Sequence, residues 1–341
     1  MPLKSIRLKN FTVFDDIEME FIDGVNVFIG ENATGKTHVL KLLYAACQSA
    51  QSTRTGYDFP LKVARVFRPD DYSLMRLVKR KKGNHIAKVE IATERSKIAM
   101  QFNSKQKDSV KVSGVEKWNK EFADLTSTYI PVEEILSHSK NLIQAITIGN
   151  VEFDDTYKDI IAAASIALDN GPESGRKKRY LQDLQSIMQG RVRVENEEFY
   201  MIPSGSSAAK LEFQLIAEGL RKIALLWQLI KNGTLEQGAI LFWDEPEANI
   251  NPRNIPAIAK LLMNLQEDGV QVFIATHDYF LAKYLSVFQG DKNGLIFHSL
   301  YKDKDGFIKH EMQQDFATLV NNSILQESVN LYEQEVNKIL R

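Results

Sequence analysis

The sequence contains little of what disulfide-bonded, secreted or membrane proteins carry. Its 341 residues include one cysteine, Cys47, so neither an intramolecular disulfide nor a cysteine-based metal site can form. No apolar run approaches the roughly 20 residues that cross a bilayer. The N-terminal stretch MPLKSIRLKNF lacks the apolar core of a signal peptide. We therefore expect a soluble cytoplasmic protein that works without a membrane.

Neither sign of charge is in excess. The chain has 43 lysine and arginine residues against 44 aspartate and glutamate residues, a formal net charge of −1 at pH 7. Such a protein does not coat nucleic acid with its whole surface, so any contact with DNA or RNA depends on a local patch. Two basic runs are candidates, KRKK at 79–82 and RKKR at 176–179, although such runs are more often solvated loops.

The apolar pattern at the N-terminus predicts strands followed by a helix. SIRLKNF and DIEMEF alternate apolar and polar residues, which is typical of strands with one buried face. The largely apolar run Val25–Ile29 predicts a strand buried on both faces. It leads through a glycine-containing loop into a helix, in which Val39, Leu40, Leu43 and Ala46 follow helical spacing.

The rest of the chain divides by pattern. Residues 51–131 contain short alternating runs and predict a β-rich region, and residues 132–204 predict a helical insertion that ends in a hairpin. Residues 205–341 alternate buried strands with helices, which indicates a parallel sheet with crossover helices. We predict one α/β domain whose nucleotide-binding core comprises residues 1–50 and 205–341.

The loop after the buried strand reads GENATGKT, the Gly-x4-Gly-Lys-Thr pattern of a phosphate-binding loop. Glycines let successive backbone N–H groups point at an anion, and the following helix adds its positive N-terminal end. We expect Lys36 to bind the β- and γ-phosphates of ATP and the Thr37 hydroxyl to bind Mg²⁺. A chance glycine turn is the alternative, and the flanking strand and helix disfavour it. The candidate nucleotide-binding residues are Gly30, Glu31, Asn32, Ala33, Thr34, Gly35, Lys36 and Thr37.

A second apolar strand, in ILFWDEPEANINP, ends in the acidic pair Asp244 and Glu245. A magnesium ion bound to phosphates needs a carboxylate, and hydrolysis needs a group that orients water. We expect Asp244 to hold the metal together with Thr37. We expect Glu245 to accept a proton from the attacking water. The alternative, a strand that simply meets solvent through two acids, is the weaker reading after a phosphate-binding loop.

His277 follows a third apolar strand directly, in FIATHD. A neutral imidazole at that point could donate to the γ-phosphate and distinguish ATP from ADP. A lone histidine is more often a helix cap or a satisfied surface residue. We assign that ordinary role to the other histidines, His38, His85, His138, His298 and His310.

Together, SIRLKNF with VNVFIGENATGKT, LFWDEPEANINP and FIATHD resemble the ABC-type ATPases of the SMC and RecF group. They are closer still to compact ATPases related to OLD-family nucleases, many of them found in bacterial anti-phage systems. The resemblance implies a P-loop NTPase head of ABC type with a mostly parallel core sheet, an antiparallel β subdomain and a helical insertion. It also implies that two heads sandwich two ATP molecules, each capped by the signature segment of the other head.

The resemblance identifies the signature segment as LIAEGLRK, residues 215–222, with Ala217, Glu218 and Gly219 at the partner's nucleotide. The family usually has a serine where this chain has Ala217. The hydroxyl contact to the γ-phosphate is therefore missing, although the Gly219 N–H and the helix N-terminus remain. This departure implies weaker ATP-driven dimerisation and slow turnover. A plain loop-to-helix boundary is the alternative role of Gly219.

Other family positions are less distinct. Asn249 and Asn251, in the EANINP segment, would contact the opposite subunit, with an ordinary Asn/Pro turn as the alternative. No glutamine occupies the place of the family's glutamine loop, where Glu134 stands in TYIPVEEIL. Phe11 and Phe14 lie where the family contacts adenine, but core packing is their more common role.

The spacing of these segments excludes some relatives. Only about 170 residues without sustained heptads separate the phosphate loop from the signature, so the long coiled-coil arms of large SMC proteins are absent. The residues after His277 contain no second acidic constellation, and Asp303 and Asp305 are best explained as turn residues. We therefore expect an ATPase without nuclease activity, whose effector is a separate protein.

The leading hypothesis is an ATP-gated homodimeric switch that controls such an effector in anti-phage defence. A RecF-like repair ATPase that binds DNA without an effector is one alternative. A scaffold that binds ATP but barely hydrolyses it is another, because of Ala217. The nucleotide-binding subunit of a transporter is disfavoured by the degenerate signature.

Overall fold

The computed structural model describes residues 2–51, 56–105, 110–148, 153–168, 171, 173–196, 198–205, 209–289 and 294–340. Within these ranges the strands are β1 (Ser5–Phe11), β2 (Phe14–Glu20), β3 (Val25–Ile29), β4 (Ile86–Ala92), β5 (Lys97–Asn103), β6 (Lys111–Ser113), β7 (Ser127–Ile130), β8 (Gly190–Glu195), β9 (Glu198–Pro203), β10 (Leu211–Glu212), β11 (Ile240–Asp244), β12 (Gln271–Ala275), β13 (Leu295–Lys302) and β14 (Ile308–Gln313).

The helices of the same ranges are α1 (Lys36–Ser49), α2 (Phe59–Phe67), α3 (Val115–Glu121), α4 (Ser139–Thr147), α5 (Asp155–Ala164), α6 (Gly175–Met188), α7 (Glu218–Lys231), α8 (Ile255–Glu267), α9 (Tyr279–Gln289) and α10 (Ser323–Ile339). None of these helices combines the length and the apolar character that a membrane span requires.

A six-stranded sheet in the order β14-β13-β3-β12-β11-β7 forms the centre of the domain. Its strands β13, β3, β12, β11 and β7 are parallel, and β14 pairs antiparallel at one edge. Every residue of β3, β7, β11 and β12 is buried, as parallel strands covered on both faces require. The predicted mostly parallel core sheet is confirmed.

Alternate residues of the central strands enter two separate hydrophobic cores. On β11, Leu241 and Trp243 join the core that contains α7, α8 and the helical insertion. Ile240 and Phe242 join the other core, which contains α1 and the antiparallel sheet. The sheet therefore fixes the phosphate-loop helix on one side and the signature helix on the other.

An antiparallel sheet in the order β2-β1-β4-β5-β6 forms the predicted β subdomain. Its strands come from both the N-terminal segment and the 51–131 region, because β1 pairs with β2 on one side and with β4 on the other. The 51–131 region also contains α2 and α3, which the alternating runs did not predict. Asp58 caps α2 by accepting from the Leu61 N–H at 2.9 Å.

The insertion comprises α4, α5 and α6 and ends in the hairpin β8–β9, to which β10 adds a third strand. The segment RVRVENEEFYMI predicts a hairpin that turns near Glu195 and Asn196. Asn196 indeed has φ +50°, the left-handed conformation that tight hairpin turns need.

A buried ionic network joins α1 and α2 to the insertion. The Lys62 ammonium lies 3.1 Å from Asp155 Oδ2 and 2.7 Å from Asp159 Oδ2, and the Tyr44 hydroxyl donates to Asp159 at 2.6 Å. Burial would raise the pKa of Asp155, but hydrogen bonds and charge from Arg65 and Lys62 hold it below its ordinary value. The network thus fixes the helix that follows the phosphate loop.

We expect Lys62→Met to lower the free energy of unfolding by about 3 kcal/mol, since breaking a buried ion pair strands the remaining charges. Lys62 and Asp155 have side chains only 2% and 4% exposed, so solvent cannot replace the lost partner. Urea denaturation measures the change, and the exposed Lys88→Met on β4 is the control. A loss below 0.5 kcal/mol for Lys62→Met, matching the control, would show that the network contributes nothing to stability.

Candidate functional site

The loop Gly30–Thr37 connects β3 to α1 and is held in a tight curl. Gly35 has φ +98°, and a Cβ atom there would lie 2.4 Å from Cζ of Phe14. A residue with a side chain is therefore excluded at this position both by conformation and by space. Thr34 is fully buried, and its hydroxyl donates to the Glu31 carbonyl at 2.8 Å. The conformation of Gly35 and the Thr34 hydrogen bond thus hold the loop in this curl.

The Lys36 ammonium lies inside this curl. It donates to the carbonyl oxygens of Gly30 and Glu31 at 2.7 and 3.0 Å, and the residue is 8% exposed. Burial lowers the pKa of Lys36, while the charges of Glu245 and Asp244 oppose the change. The loop thus holds a buried cation that is hydrogen-bonded to neutral carbonyl oxygens. An anionic phosphate oxygen would be a stronger acceptor than these carbonyls.

Asp244, the last residue of β11, faces the start of α1. It accepts hydrogen bonds from the Thr37 hydroxyl and, at 3.2 Å, from the Tyr129 hydroxyl. Burial raises the pKa of Asp244. A buried carboxylate beside a threonine hydroxyl provides the hard oxygen ligands that Mg²⁺ prefers. The predicted pair Thr37 and Asp244 is therefore brought together.

Glu245 and His277 form a direct contact that the sequence did not reveal. Glu245 Oε1 lies 3.1 Å from His277 Nδ1, and the side chains are 28% and 54% exposed. Glu245 has φ +47°, and its N–H donates to the Ala275 carbonyl at 2.8 Å. A hydrogen bond between the two groups requires the proton on Nδ1 and leaves Nε2 free for another partner.

Glu247 is a site residue that sequence reasoning missed. Its Oε1 accepts hydrogen bonds from the Thr276 hydroxyl at 2.7 Å and from the His277 backbone N–H at 3.4 Å. The side chain is 8% exposed, and burial raises the pKa of Glu247. Glu247 therefore braces the turn that carries His277. The sequence could have indicated this residue, because Glu247 is a further acid two positions after Glu245.

The signature segment packs on the loop that follows the acidic pair. A Cβ atom on Gly219 would lie 2.3 Å from the Asn249 carbonyl oxygen, so glycine permits this close approach. Ala217 precedes α7 without a side-chain capping bond, Gly219 is buried, and Ala217 and Asn249 are exposed. The side chain of Asn251 instead accepts from the Arg253 N–H at 3.0 Å. Gly219 and the Asn249 backbone thus pack directly against each other.

Glu134, the residue at the position of the family's glutamine loop, faces Arg221 in this conformation. Its side chain is 1% exposed, and its Oε2 lies 2.8 Å from Arg221 Nε on α7. The Ser137 N–H donates to its other oxygen at 3.2 Å. Glu134 therefore ties the segment after β7 to the signature helix. The neighbouring Lys222 is 1% exposed, and its ammonium has no hydrogen-bond partner in the described part of the chain.

Phe11 and Phe14 are both fully buried and belong to the core, as the commoner role anticipated. A cavity of about 570 Å³ next to the loop is lined instead by residues that include Thr12, Ala33 and His38. His38 Nδ1 lies 3.0 Å from the Thr12 hydroxyl, and burial lowers the pKa of His38 to about 4. Sequence reasoning assigned His38 an ordinary role and missed this cavity beside the phosphate loop.

Half of the cations in the two basic runs form ion pairs within the described part of the chain. Lys79 and Lys81 both pair with Asp15. In the second run, Arg176 lies 2.9 Å from Asp268, and Lys177 lies 2.8 Å from Glu236. These pairs leave less free charge for a polyanion than the sequence pattern suggested.

Comparison with known families matches both halves of the chain. Residues 1–195 match the family described as "AAA ATPase domain". Residues 204–283 match the family described as "AAA domain, putative AbiEii toxin, Type IV TA system".

Curated relatives match a short segment only. The DNA replication and repair protein RecF of Clostridium botulinum strain Eklund 17B is 47% identical over 58 residues, 17% of this chain and 16% of that protein. RecF of Streptococcus gordonii strain Challis is 43% identical over 60 residues, 17% of each chain. The chain therefore spans less than a fifth of the length of these relatives.

Solved structures match nearly the whole chain. An SMC head bound to the C-terminal winged-helix domain of ScpA covers 93% of this chain and 99% of its own, with a TM-score of 0.60 and 14% identity. An SMC head with an extended coiled coil, bound to the C-terminal domain of ScpA derived from Pyrococcus furiosus, covers 97% and 98%, with a TM-score of 0.55 and 11% identity. The predicted head fold is confirmed by these likenesses.

We expect Glu247→Ala to lower the free energy of unfolding by about 1–3 kcal/mol, because the Thr276 hydroxyl loses its acceptor. Glu247→Gln should be at least as stable as the wild type at pH 7, because its amide oxygen still accepts from Thr276 and the buried charge is gone. The folded-state pKa of Glu247 is raised, so the wild type loses stability as pH rises from the unfolded pKa through the folded one. The advantage of Gln over Glu should therefore be smaller at pH 4 than at pH 7.

Urea denaturation at the two pH values measures both effects, with the exposed Glu333→Gln on α10 as the control. Equal losses for Glu247→Ala and Glu247→Gln at pH 7 would contradict the bracing role assigned to this carboxyl group.

Proposed function

Because this chain belongs to the AAA ATPase domain family and folds as an SMC-type head, we propose that it is an ATP-binding and ATP-hydrolysing switch that works as a homodimer. One observation carries the proposal. The buried Lys36 cation, the Thr37–Asp244 pair and the Glu245–His277 pair all lie at the ends of the adjacent strands β3, β11 and β12.

The residues at the loop fit a magnesium nucleotide. The backbone N–H groups of Gly30–Thr37 and the Lys36 ammonium would bind the phosphates once Lys36 exchanges its carbonyl partners. Thr37 and Asp244 would hold the metal, since their oxygens already lie together. When bound, Mg²⁺ would neutralise phosphate charge and help to orient the reacting group.

Glu245 and His277 supply the remaining chemistry. Glu245 is accessible enough to take a proton from an attacking water, as a general base must. With its Nδ1 only 3.1 Å from Glu245 Oε1, His277 would present Nε2 toward the γ-phosphate side of the site. Glu247 and Thr276 position this turn without touching the reacting atoms themselves.

Dimerisation would complete the site. Ala217, Glu218 and Gly219 lie at the start of α7 beside the exposed Asn249, and this surface suits a two-fold interface in which each copy caps the other's nucleotide. Ala217 offers no hydroxyl to the γ-phosphate. We therefore expect weaker closure and slower turnover than a serine at this position would give.

The proposed role of the switch is to control a separate effector protein in bacterial anti-phage defence. Support comes from the resemblance of the sequence to compact ATPases of such systems and from the toxin family matched by residues 204–283. The SMC heads of similar fold are described as bound to ScpA domains, which illustrates a head that engages a second protein.

A second candidate is a RecF-like repair ATPase that binds DNA without an effector. The 47% identity to a DNA replication and repair protein over 58 residues favours it. ATP-dependent retention on DNA without a co-purifying protein would select this candidate over effector control.

We expect Glu245→Gln to retain ATP, to lose at least 100-fold in turnover and to accumulate closed dimers, because the general base is removed while the binding residues stay. Lys36→Ala should lose nucleotide binding itself. Phosphate release, equilibrium nucleotide binding and light scattering after size exclusion measure these properties, with the exposed Glu327→Gln on α10 as the matched control. Hydrolysis by Glu245→Gln at the parent rate would refute the catalytic assignment.

A further inference from the structure

A large cavity lies in the insertion, away from the phosphate loop. It has a volume of about 830 Å³ and is lined by residues of α6, β8 and α7 together with residues 165–168. None of its described lining residues belongs to Gly30–Thr37 or to the Asp244 and His277 turns. Its volume falls within the roughly 300–1,000 Å³ of sites for small molecules.

One wall of the cavity is apolar. Leu181 of α6, Val192 of β8 and Trp227 of α7 contribute to it, and they are 4%, 3% and 4% exposed. These side chains belong to the larger hydrophobic core, so the wall is rigidly supported. An indole and two aliphatic side chains offer a surface on which a planar apolar group can pack.

The rim of the cavity is cationic. Among the described lining residues, Lys178, Arg191, Arg193 and Lys231 are basic, and Glu173 is acidic. Lys231 pairs with Glu173, and Arg193 lies 2.7 Å from Glu195. Lys178 and Arg191 have no ion pair with any described residue. In a chain of net charge −1, two uncompensated cations at one cavity favour an anionic ligand.

From these features we propose that the cavity binds a small organic anion with a planar apolar portion. Lys178 and Arg191 bind the anionic group, and Trp227 and Val192 pack against the planar portion. The ligand would rest on α7, the helix that begins directly after Ala217. The site is therefore built on the same rigid element as the signature segment, although the binding proposal itself does not depend on ATP hydrolysis.

A nucleic acid fits the same surface less well. A polyanion gains affinity from a track of free cations that follows its phosphates. Beside the cavity, Arg176 and Lys177 are instead held by Asp268 and Glu236, which interrupts such a track.

A fluorescent probe tests the proposal on the full chain. The dye 8-anilinonaphthalene-1-sulfonate combines planar apolar rings with one sulfonate, and its fluorescence rises on binding. We expect saturable binding at one site, and a dissociation constant at least fivefold higher for Lys178→Glu and for Arg191→Glu. Arg179→Glu, on the same helix but outside the described lining, is the matched control and should bind as the parent does.

The remaining arms separate this site from the proposed nucleotide site. Lys36→Ala should bind the dye unchanged, and saturating Mg-ADP should not displace it. Thermal unfolding confirms that each variant is folded. If Lys178→Glu or Arg191→Glu does not fold, Lys178→Gln or Arg191→Gln is measured in its place. Unchanged affinity in the charge variants, an equal loss in Arg179→Glu or displacement by Mg-ADP would overturn the proposal. Displacement by a ten-nucleotide oligothymidylate would also overturn it and assign the rim to nucleic acid.

Discussion

The parallel register of β3, β12 and β11 determines where the candidate catalytic groups can lie. Phe28 pairs with Ala275, and Ala275 pairs with Asp244, so three consecutive strands end at the same edge of the sheet. The phosphate loop, the Thr276–His277 turn and the acidic pair each leave from that edge. Because the strands are buried on both faces, a register slip would misplace apolar residues and groups of the site together.

This arrangement concentrates charge in a poorly solvated region. Burial lowers the pKa of Lys36 and raises that of Asp244, so the protein disfavours the charged form of each group. A phosphate and a divalent cation bring the opposite charges to these two positions. A bound magnesium nucleotide would therefore stabilise the charged forms of Lys36 and Asp244. Glu247 and the Glu134–Arg221 pair hold the surrounding turns.

The local parts of this site could be predicted from the sequence, and the long-range contacts could not. The phosphate loop, the acidic pair and His277 each follow a recognisable strand directly. The contacts of Gly219 with Asn249 and of Glu134 with Arg221 join segments far apart in the chain and leave no local pattern. The start of helix α2 could have been predicted, because Asp58 is a capping residue and a proline follows in the first turn. The strand-like runs around it favoured a β-rich prediction instead.

The most direct test of the account is a crystal structure with Mg²⁺ and a non-hydrolysable ATP analogue. We expect the Lys36 ammonium to leave the carbonyls of Gly30 and Glu31 for phosphate oxygens. The metal should lie between Thr37 and Asp244, with Glu245 and His277 facing the terminal phosphate. A nucleotide bound elsewhere, with Lys36 still hydrogen-bonded to its own loop, would contradict the account.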